Sequence, residues 1–449
     1  MPFRTNWRFW LIHGFDVACR SLIYRLHVSW PIRRVPRAIF EFNIGHQHMK
    51  SFADDHDSSI FFISPHKATN VLNWSGTLNS LYRALEARNS AIPIIELNGA
   101  WLPKIARQID RVLYFLGFTF ESQMTTAYAV SVGLFISAQL ALMPKGPIVA
   151  VAASNYLPYL MTRRRIVYIS DATFRAAAQL YPAMKNLPAW LSRQCDRHEA
   201  LTLKKADFII LPSKWASDSA RIDYGTDPER IYELPFGANI EREVIERYYV
   251  PKFINGNTIK FLFASADWRR KGGDKAIEIC KALRAAEIDA RLIVVGNAPE
   301  HVRELNFVEP RGFLKKSDPV QLAEICRAYQ EAHFLLLPTQ GDASPIVFAE
   351  AQAFGTPPIT HQVGGTGSSI ENGKTGMLLP LDASPEQFVA SIFPYLRNPH
   401  MYESLSLNCR RWYREQTQWS RWGELIFRLC ELGDEGAVDS QPRASDDQK

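Results

Sequence analysis

The sequence predicts an α/β protein of two Rossmann-like domains facing each other across a central cleft. Three observations carry that expectation. Short apolar runs rich in β-formers alternate with helical patterns along most of the chain. The alternation restarts after a Pro- and Gly-marked loop near residue 240. With 449 residues, the chain exceeds what one core ordinarily serves, so two domains of roughly 150–220 residues are expected. Hydrophobic residues at 47% and charged residues at 22% are average values, which excludes collagen-like, disordered and coiled-coil classes for the bulk of it. A net charge of +6 is mild at this length and does not suggest nucleic acid.

The elements follow in order. Residues 1–57 form a basic extension. Before Glu41 a single acid, Asp16, stands against Arg4, Arg8, Arg20, Arg25, Arg33, Arg34 and Arg37, interleaved with Trp7, Trp10, Phe15 and Trp30. Arg with Trp on an amphipathic helix suits the inner face of an anionic membrane; the alternative is a helix packed on the domain with its arginines solvated. The apolar start, Trp7 to Tyr24, is interrupted by Arg8, Asp16 and Arg20 and has no small-residue cleavage site, so it does not read as a secretory signal. A first domain, 58–238, holds strands at Ser59–Ser64, Ala91–Leu97, Ile148–Ala152, Ile166–Ser170 and Phe208–Pro212, with helices at Thr77–Ala87 and Asp196–Ala206. Ser122 to Pro144 carries no formal charge, but its Gln, Thr and Ser content favours a buried or half-buried helix over a membrane span.

The second domain, 239–410, follows Pro235-Phe236-Gly237-Ala238-Asn239. Its strands are expected at Ile259–Ala264, Arg291–Val295, Phe334–Leu337 and Pro358–Thr360. Its helices are expected from Lys275, at Pro319–Glu331 and at Pro345–Phe354. A helix over 411–432 returns to the first domain, and 433–449 is too poor in apolar residues to order. The six cysteines, Cys19, Cys195, Cys280, Cys326, Cys409 and Cys430, include no C-x-x-C. That spacing suits a reducing compartment and argues against a disulfide framework or structural zinc. A cytoplasmic protein is expected, with its basic N-terminus available for peripheral membrane contact.

Ligands of open parallel sheets bind beyond the carboxyl ends of the strands. After Ile259–Ala264 comes Asp267-Trp268-Arg269-Arg270-Lys271-Gly272-Gly273, three cations and two glycines before a helix. Cations neutralise phosphate oxygens and Gly admits close backbone approach; alone, the run reads equally as an exposed basic turn. After Phe334–Leu337 comes Thr339-Gln340-Gly341-Asp342-Ala343-Ser344-Pro345. Ser344 reads as an N-cap and Pro345 as the first helical residue, leaving the amides of Ile346 and Val347 for an anion. Asp342 and Glu350 do not share a helical face, so each carboxylate can address a different part of a long ligand. After Pro358–Thr360 comes Val363-Gly364-Gly365-Thr366-Gly367-Ser368-Ser369, a Gly-rich loop whose amides can cradle a diphosphate. It is neither a P-loop nor a Rossmann fingerprint.

These segments resemble retaining glycosyltransferases of family 4, which have the GT-B fold. The resemblance lies in Asp267–Gly273, in Leu337–Pro357 and in Val363–Gly367. Glu350 matches the second acid of the family's E-x7-E, and Ala351, Ala353, Gly355 and Pro357 match the A-x-A-x-G-x-P that follows. In the first half Trp74–Thr77, Ile169–Phe174, Glu199–Trp215 and Pro235–Asn239 resemble segments of the same enzymes, so the likeness covers about Ser59 to Leu432.

The resemblance implies transfer of a sugar from a nucleoside-diphosphate donor to a hydroxyl of a glycan or glycolipid, with retention; the density of cations and amides leads us to expect no bound cofactor or metal. The resemblance also implies that Lys271 and Arg270 hold the diphosphate. Glu350 takes the ribose, Gly312, Phe313 and Leu314 flank the base, and Gly364, Gly365, Thr366 and Gly367 give amides to phosphate. Ser75, Gly76 and Thr77 line the acceptor side. The chain departs from the pattern at three places. The first acid is Asp342, one methylene short; the usual Arg of G-R-x-x-x-x-K-G is absent at Ala266; and Asp171 stands where many members have histidine. Rival readings are a sugar-nucleotide-binding protein without transfer activity, a GT-B phosphorylase or epimerase, and a membrane transporter.

Overall fold

The computed structural model describes residues 60–70, 73–89, 92–97, 101–115 and 121–431. The basic extension, Cys19 and the C-terminal tail lie outside the described residues.

In the first half β1 (Phe61–Ser64), β2 (Ile94–Glu96), β3 (Ile148–Val151), β4 (Ile166–Ile169), β5 (Phe208–Leu211) and β6 (Ile231–Glu233) form one sheet. Its order is β2-β1-β3-β4-β5-β6 and every pairing is parallel. The connecting helices are α1 (Thr77–Glu86), α2 (Trp101–Phe115), α3 (Thr126–Leu140), α4 (Phe174–Leu180), α5 (Ala189–Lys205) and α6 (Lys214–Ile222). The two-residue period of a strand sends alternate side chains to opposite faces. Phe61 and Ile63 therefore join Ile136 and Leu140 of α3 on one face, while Phe62 joins Leu78, Leu81 and Leu85 of α1 on the other.

The second half repeats the plan with β7 (Thr258–Ser265), β8 (Asp289–Gly296), β9 (Val308–Gly312), β10 (Phe334–Leu336), β11 (Pro358–His361) and β12 (Met377–Leu379). The order is β12-β11-β10-β7-β8-β9, again parallel throughout. Around it lie α7 (Arg242–Tyr248), α8 (Gly273–Ala285), α9 (Pro319–Glu331), α10 (Ile346–Ala353), α11 (Pro385–Arg397) and α12 (Pro399–Gln416). The last described helix, α13 (Trp419–Glu431), buries Trp422, Ile426 and Leu429 in the core that holds Leu78 and Leu81 of the first half. A Cβ on its Gly423 would stand 2.7 Å from the Ala84 carbonyl oxygen, so the two helices pack almost backbone to backbone. The break before this helix falls at Thr417–Gln418, and position 411 lies inside α12.

The two-sheet α/β architecture is the one the alternation predicts. Three strands carry no clear sequence signal: β6, β9 and β12 are all edge strands of three to five residues. Strand β9 reads Val-Glu-Pro-Arg-Gly, and its Pro is tolerated because an edge strand leaves one side unpaired. The uncharged stretch 122–144 contains a single turn at Ser122–Met124 and then α3. Ala129, Val132, Gly133, Ile136 and Leu140 of α3 are buried at helical spacing, the mark of a helix packed along one side. Among the described residues no helix is long and apolar enough to cross a membrane.

Candidate functional site

In each sheet the strand order reverses once, between β1 and β3 in the first and between β7 and β10 in the second. Such a reversal splays the two following loops apart and opens a crevice at the carboxyl edge. The loop after β7 holds Arg270 and Lys271; the loop after β10 holds Asp342. These are the two strands that flank the second crevice.

The two loops meet there through an ion pair. Lys271 Nζ donates to Asp342 Oδ2, with the two side chains only 13% and 8% exposed. The backbone permits this approach because Gly272 sits at φ 77°, and a Cβ there would lie 2.0 Å from the Pro338 carbonyl oxygen. Burial, and then the charge of Arg270, lower the Lys271 pKa to about 7, against the opposing charge of Asp267. Arg270 is tethered by Asp267 Oδ2 at 2.9 Å and donates to the Gly341 carbonyl oxygen at 2.9 Å.

The Gly-rich turn after β11 packs against the same loop. Gly364 has φ 58°, and a Cβ on it would stand 2.3 Å from the Asp342 carbonyl oxygen. A Cβ on Gly365 would stand 1.8 Å from that of Ala343. These glycines are therefore required by backbone packing, whatever they bind. The Gly365 amide donates to Asp342 O at 2.9 Å and the Thr366 amide to Val363 O at 3.3 Å, so both are occupied within the chain. Gly364 and Gly367 are not part of those bonds, and Gly367 faces open space.

A correction applies at the next helix. Helix α10 begins at Ile346, Pro345 takes the cap position, and no side-chain cap bond forms, so Ser344 is not the N-cap. The Pro ring fixes the turn in place of a hydroxyl. Ile346 packs against the first half's core and Val347 against the second's, which places this helix start between the halves.

One turn further on, Glu350 is buried and doubly held. Lys316 Nζ donates to its Oε1 and the Tyr329 hydroxyl to its Oε2 at 3.0 Å. Lys316 belongs to the loop leaving β9, which ends at Gly312 and continues with exposed Phe313 and half-buried Leu314. This ion pair ties Glu350 to the loop that carries Phe313 and Leu314.

The first half contributes across the crevice. Trp74 and Ser75 take left-handed backbone angles, φ 49° and 57°, ahead of Gly76 at φ 88°. That run is costly for side-chain-bearing residues. It is braced by Asn239, whose Nδ2 donates to Ser75 O at 2.8 Å and Thr77 Oγ1 at 3.3 Å. Trp74 Nε1 donates to Asp171 Oδ2 at 3.3 Å, and burial pushes the Asp171 carboxyl pKa up. The acceptor-side segment and Asp171 are therefore in contact.

Two residues here gave no signal in the sequence, and a third stood out only as the start of a segment of resemblance. Tyr181, from the first half, accepts the Ala343 amide on its hydroxyl at 3.0 Å and lies 5.6 Å beneath the Arg270 guanidinium. It links the halves at the Asp342 loop, where Ala343 also packs with Ala172 and Ala176 of the first half. Lys316 is the second. The third is Glu199 of α5, buried beside Tyr168, whose hydroxyl donates to it at 3.3 Å. Burial raises its pKa to about 7; bonds from Ser154, Tyr168 and the Phe174 amide oppose that, and the charge of Asp171 adds to it. An acid with a raised folded pKa contributes stability that is fully present below its unfolded pKa of 4.5 and is lost as pH rises through about 7. Glu199→Gln should therefore remove about 3 kcal/mol of the stability loss between pH 4.5 and 8, measured by urea unfolding at both ends. Identical pH slopes for the two proteins would show that Glu199 ionises freely.

Residues 245–412 match the family model described as Glycosyl transferases group 1. Among curated relatives, the chain is 28% identical over 172 residues to a D-inositol 3-phosphate glycosyltransferase of Pseudarthrobacter chlorophenolicus. That match covers 35% of this chain and 40% of the relative. The chain spans about 40–50% of the length of the first such relatives it matches. Among solved structures it resembles WaaG, a glycosyltransferase involved in lipopolysaccharide biosynthesis, with TM-score 0.57 at 18% identity, over 83% of this chain and 100% of WaaG. It also resembles Anabaena HepE in complex with UDP-glucose, with TM-score 0.53 at 16% identity, over 83% and 99% of the two chains. The fold is GT-B.

Proposed function

We propose that the protein is a retaining glycosyltransferase that moves a sugar from a nucleoside-diphosphate donor to a hydroxyl of a glycan or lipid-linked glycan. The observation that carries this reading is the meeting of Lys271, Arg270, Asp342 and the Gly364–Gly365 turn at the strand-order reversal of the second sheet. HepE, of the same fold, holds UDP-glucose, which supports a sugar-nucleotide as the ligand class.

The chemistry requires that negative charge on the departing diphosphate be stabilised as positive charge grows at the anomeric carbon. Arg270 supplies a fixed cation, Lys271 one whose charged form an arriving phosphate stabilises, and the α10 terminus adds the positive end of a helix dipole. With that charge supplied by the chain, the reading includes no resident metal or cofactor. Donor phosphate displaces Asp342 from Lys271, freeing the carboxylate to accept bonds from sugar hydroxyls. Glu350 takes the ribose, Phe313 and Leu314 flank the base, and the acceptor enters past Ser75–Thr77 and Asp171. Attack occurs on the face the diphosphate leaves, which preserves anomeric configuration. The Tyr181–Ala343 contact closes the halves and limits hydrolysis by water.

A thermal-shift panel of nucleoside diphosphates and sugar nucleotides tests the reading, because a ligand of the folded state stabilises by mass action, about 2.7 kcal/mol at a hundredfold excess over Kd. One nucleoside diphosphate should stabilise well beyond inorganic pyrophosphate, and its sugar conjugate should release nucleotide faster with acceptor present. If none outperforms pyrophosphate, a sugar-nucleotide site is refuted. Binding with no acceptor-dependent release would identify a binding protein instead of a transferase.

A further inference from the structure

The chain passes from one half to the other at two places that touch. After β6, Leu234 and Phe236 are buried in the core of the first half and Ala238 and Ile240 in that of the second, so the first passage turns on Gly237. The other passage runs from Tyr413, in the second core, to Trp419, which packs on the first. A Cβ on Gly237 would stand 2.6 Å from Cδ1 of Trp419, so the indole lies directly on the first passage. Phe236 stacks on Trp419 at 5.7 Å and lies against Trp422 at 5.1 Å, and Trp74 meets it edge to face at 5.5 Å.

We propose that Trp419 is a positioning residue: acting through Asn239, it sets the left-handed Trp74–Gly76 turn, and so the placing of the acceptor, from the junction between the halves. Its Nε1 donates to the Ala238 carbonyl oxygen at 3.0 Å and to Asn239 Oδ1 at 3.2 Å. An indole N–H can only donate, so it fixes which end of the Asn239 carboxamide it meets. The other end, Nδ2, is thereby presented to Ser75 O and Thr77 Oγ1. Trp74, Ser75 and Gly76 are three left-handed residues in succession, and the first two carry side chains, so the turn holds only where its surroundings offset that cost. Once held, the turn aims the Trp74 indole at Asp171 Oδ2. Asn239 stands between Ala238 and Ile240 of the second core, whereas Ser75 and Thr77 belong to the first half, so the bond that shapes the turn is itself a contact between the halves. Arg83 of α1 also pairs with Glu241 of the same passage, but both are solvent-exposed, where an ion pair contributes little. That the turn serves the acceptor rests on the transfer reading above; that Trp419 shapes it does not.

Two measurements on the full chain test this, with Trp422→Phe as the control. Trp422 belongs to the same aromatic cluster, but its Nε1 donates to Pro235 O, at 2.9 Å, and not to Asn239. Trp419→Phe and Trp422→Phe each keep a ring and lose one N–H, so a purely structural role gives the same result in both. The first readout is exchange of the Trp74 indole N–H with water, followed by NMR on protein with isotope-labelled tryptophan and assigned with Trp74→Phe. Loss of a brace of one hydrogen bond should speed it about tenfold in Trp419→Phe and in Asn239→Ala, and leave it at the wild-type rate in Trp422→Phe. The second readout is transfer from UDP-glucose to octyl glucoside. KM for octyl glucoside should rise about tenfold in the same two variants, with KM for UDP-glucose unchanged. Wild-type exchange in Trp419→Phe overturns the proposal, as does equal acceleration by Trp422→Phe, or faster exchange with an unchanged octyl glucoside KM. Should Trp419→Phe not fold, Asn239→Ala decides by the same criteria. If the wild-type protein transfers sugar to no acceptor, the transfer reading fails by itself, and the indole exchange rates still decide whether Trp419 shapes the turn.

Discussion

Lys271→Ala should lower glycosyl transfer about 100-fold, in kcat and kcat/KM alike, since removing one preorganised donor to a developing anion typically costs that much. The expectation rests on where the amine sits. A solvated lysine would be screened to near irrelevance, but Lys271 is almost wholly covered and lies beside Arg270. Two cations held together out of water repel each other until an anion arrives, so part of their mutual repulsion is relieved only when diphosphate charge builds up. Truncation also leaves Asp342 buried without its partner, which on its own destabilises a protein. Lys271→Ala combined with Asp342→Asn, read against Asp342→Asn alone, separates the two effects: the pair should recover thermal stability yet transfer far more slowly than Asp342→Asn. Near-normal turnover in Lys271→Ala would remove Lys271 from the mechanism, and transfer by the double variant at the rate of Asp342→Asn would make its role structural.

The fold was legible because the buried strands are continuous apolar runs. Phe61–Ser64 and Phe334–Leu336 can be recognised from four or three residues only since helices cover both faces of their sheets. The edge strands β6, β9 and β12 lack that constraint, and their sequences show it. Within the candidate site, the loops after β7 and β10 were legible through local chemistry: cations before glycines, and an acid before a helix. What the sequence did not reveal is pairing. Nothing in the neighbourhood of Lys316 indicates Glu350, 34 positions on, and nothing around Tyr181 indicates Ala343, 162 positions away. Such contacts depend on how the two sheets are set against each other. Gly364 and Gly365 have a second use that local reading does not show. Read locally they form an anion nest, yet the folded chain uses them to pass close over Asp342 and Ala343.

The contrast between the two acids of the second half leads to the other large effect. Glu350→Gln should raise donor KM by about 10- to 100-fold, the range for losing hydrogen bonds to a charged acceptor, while kcat changes far less. That KM increase should exceed the one caused by Lys271→Ala. Glu350 is 3% exposed and both its oxygens are engaged, one by Lys316 and one by the Tyr329 hydroxyl. Tyr329 is itself fixed, its ring stacked on Phe354 at 5.4 Å. The carboxylate is thus held in one orientation before any ligand arrives, and ribose hydroxyls would compete with the Lys316 amine for Oε1. A Gln amide keeps one acceptor for Tyr329 but presents an NH2 group to Lys316, turning an attraction into an unfavourable contact. Lys316→Met supplies the internal control. If Lys316 only occupies Glu350, its removal should leave donor KM unchanged or lower it; if Lys316 holds the carboxylate in place, KM should rise in both variants. Unchanged donor KM in Glu350→Gln, measured on a correctly folded enzyme, would leave the ribose without its assigned partner. It would then restrict the donor site to the diphosphate end of the crevice, around Lys271.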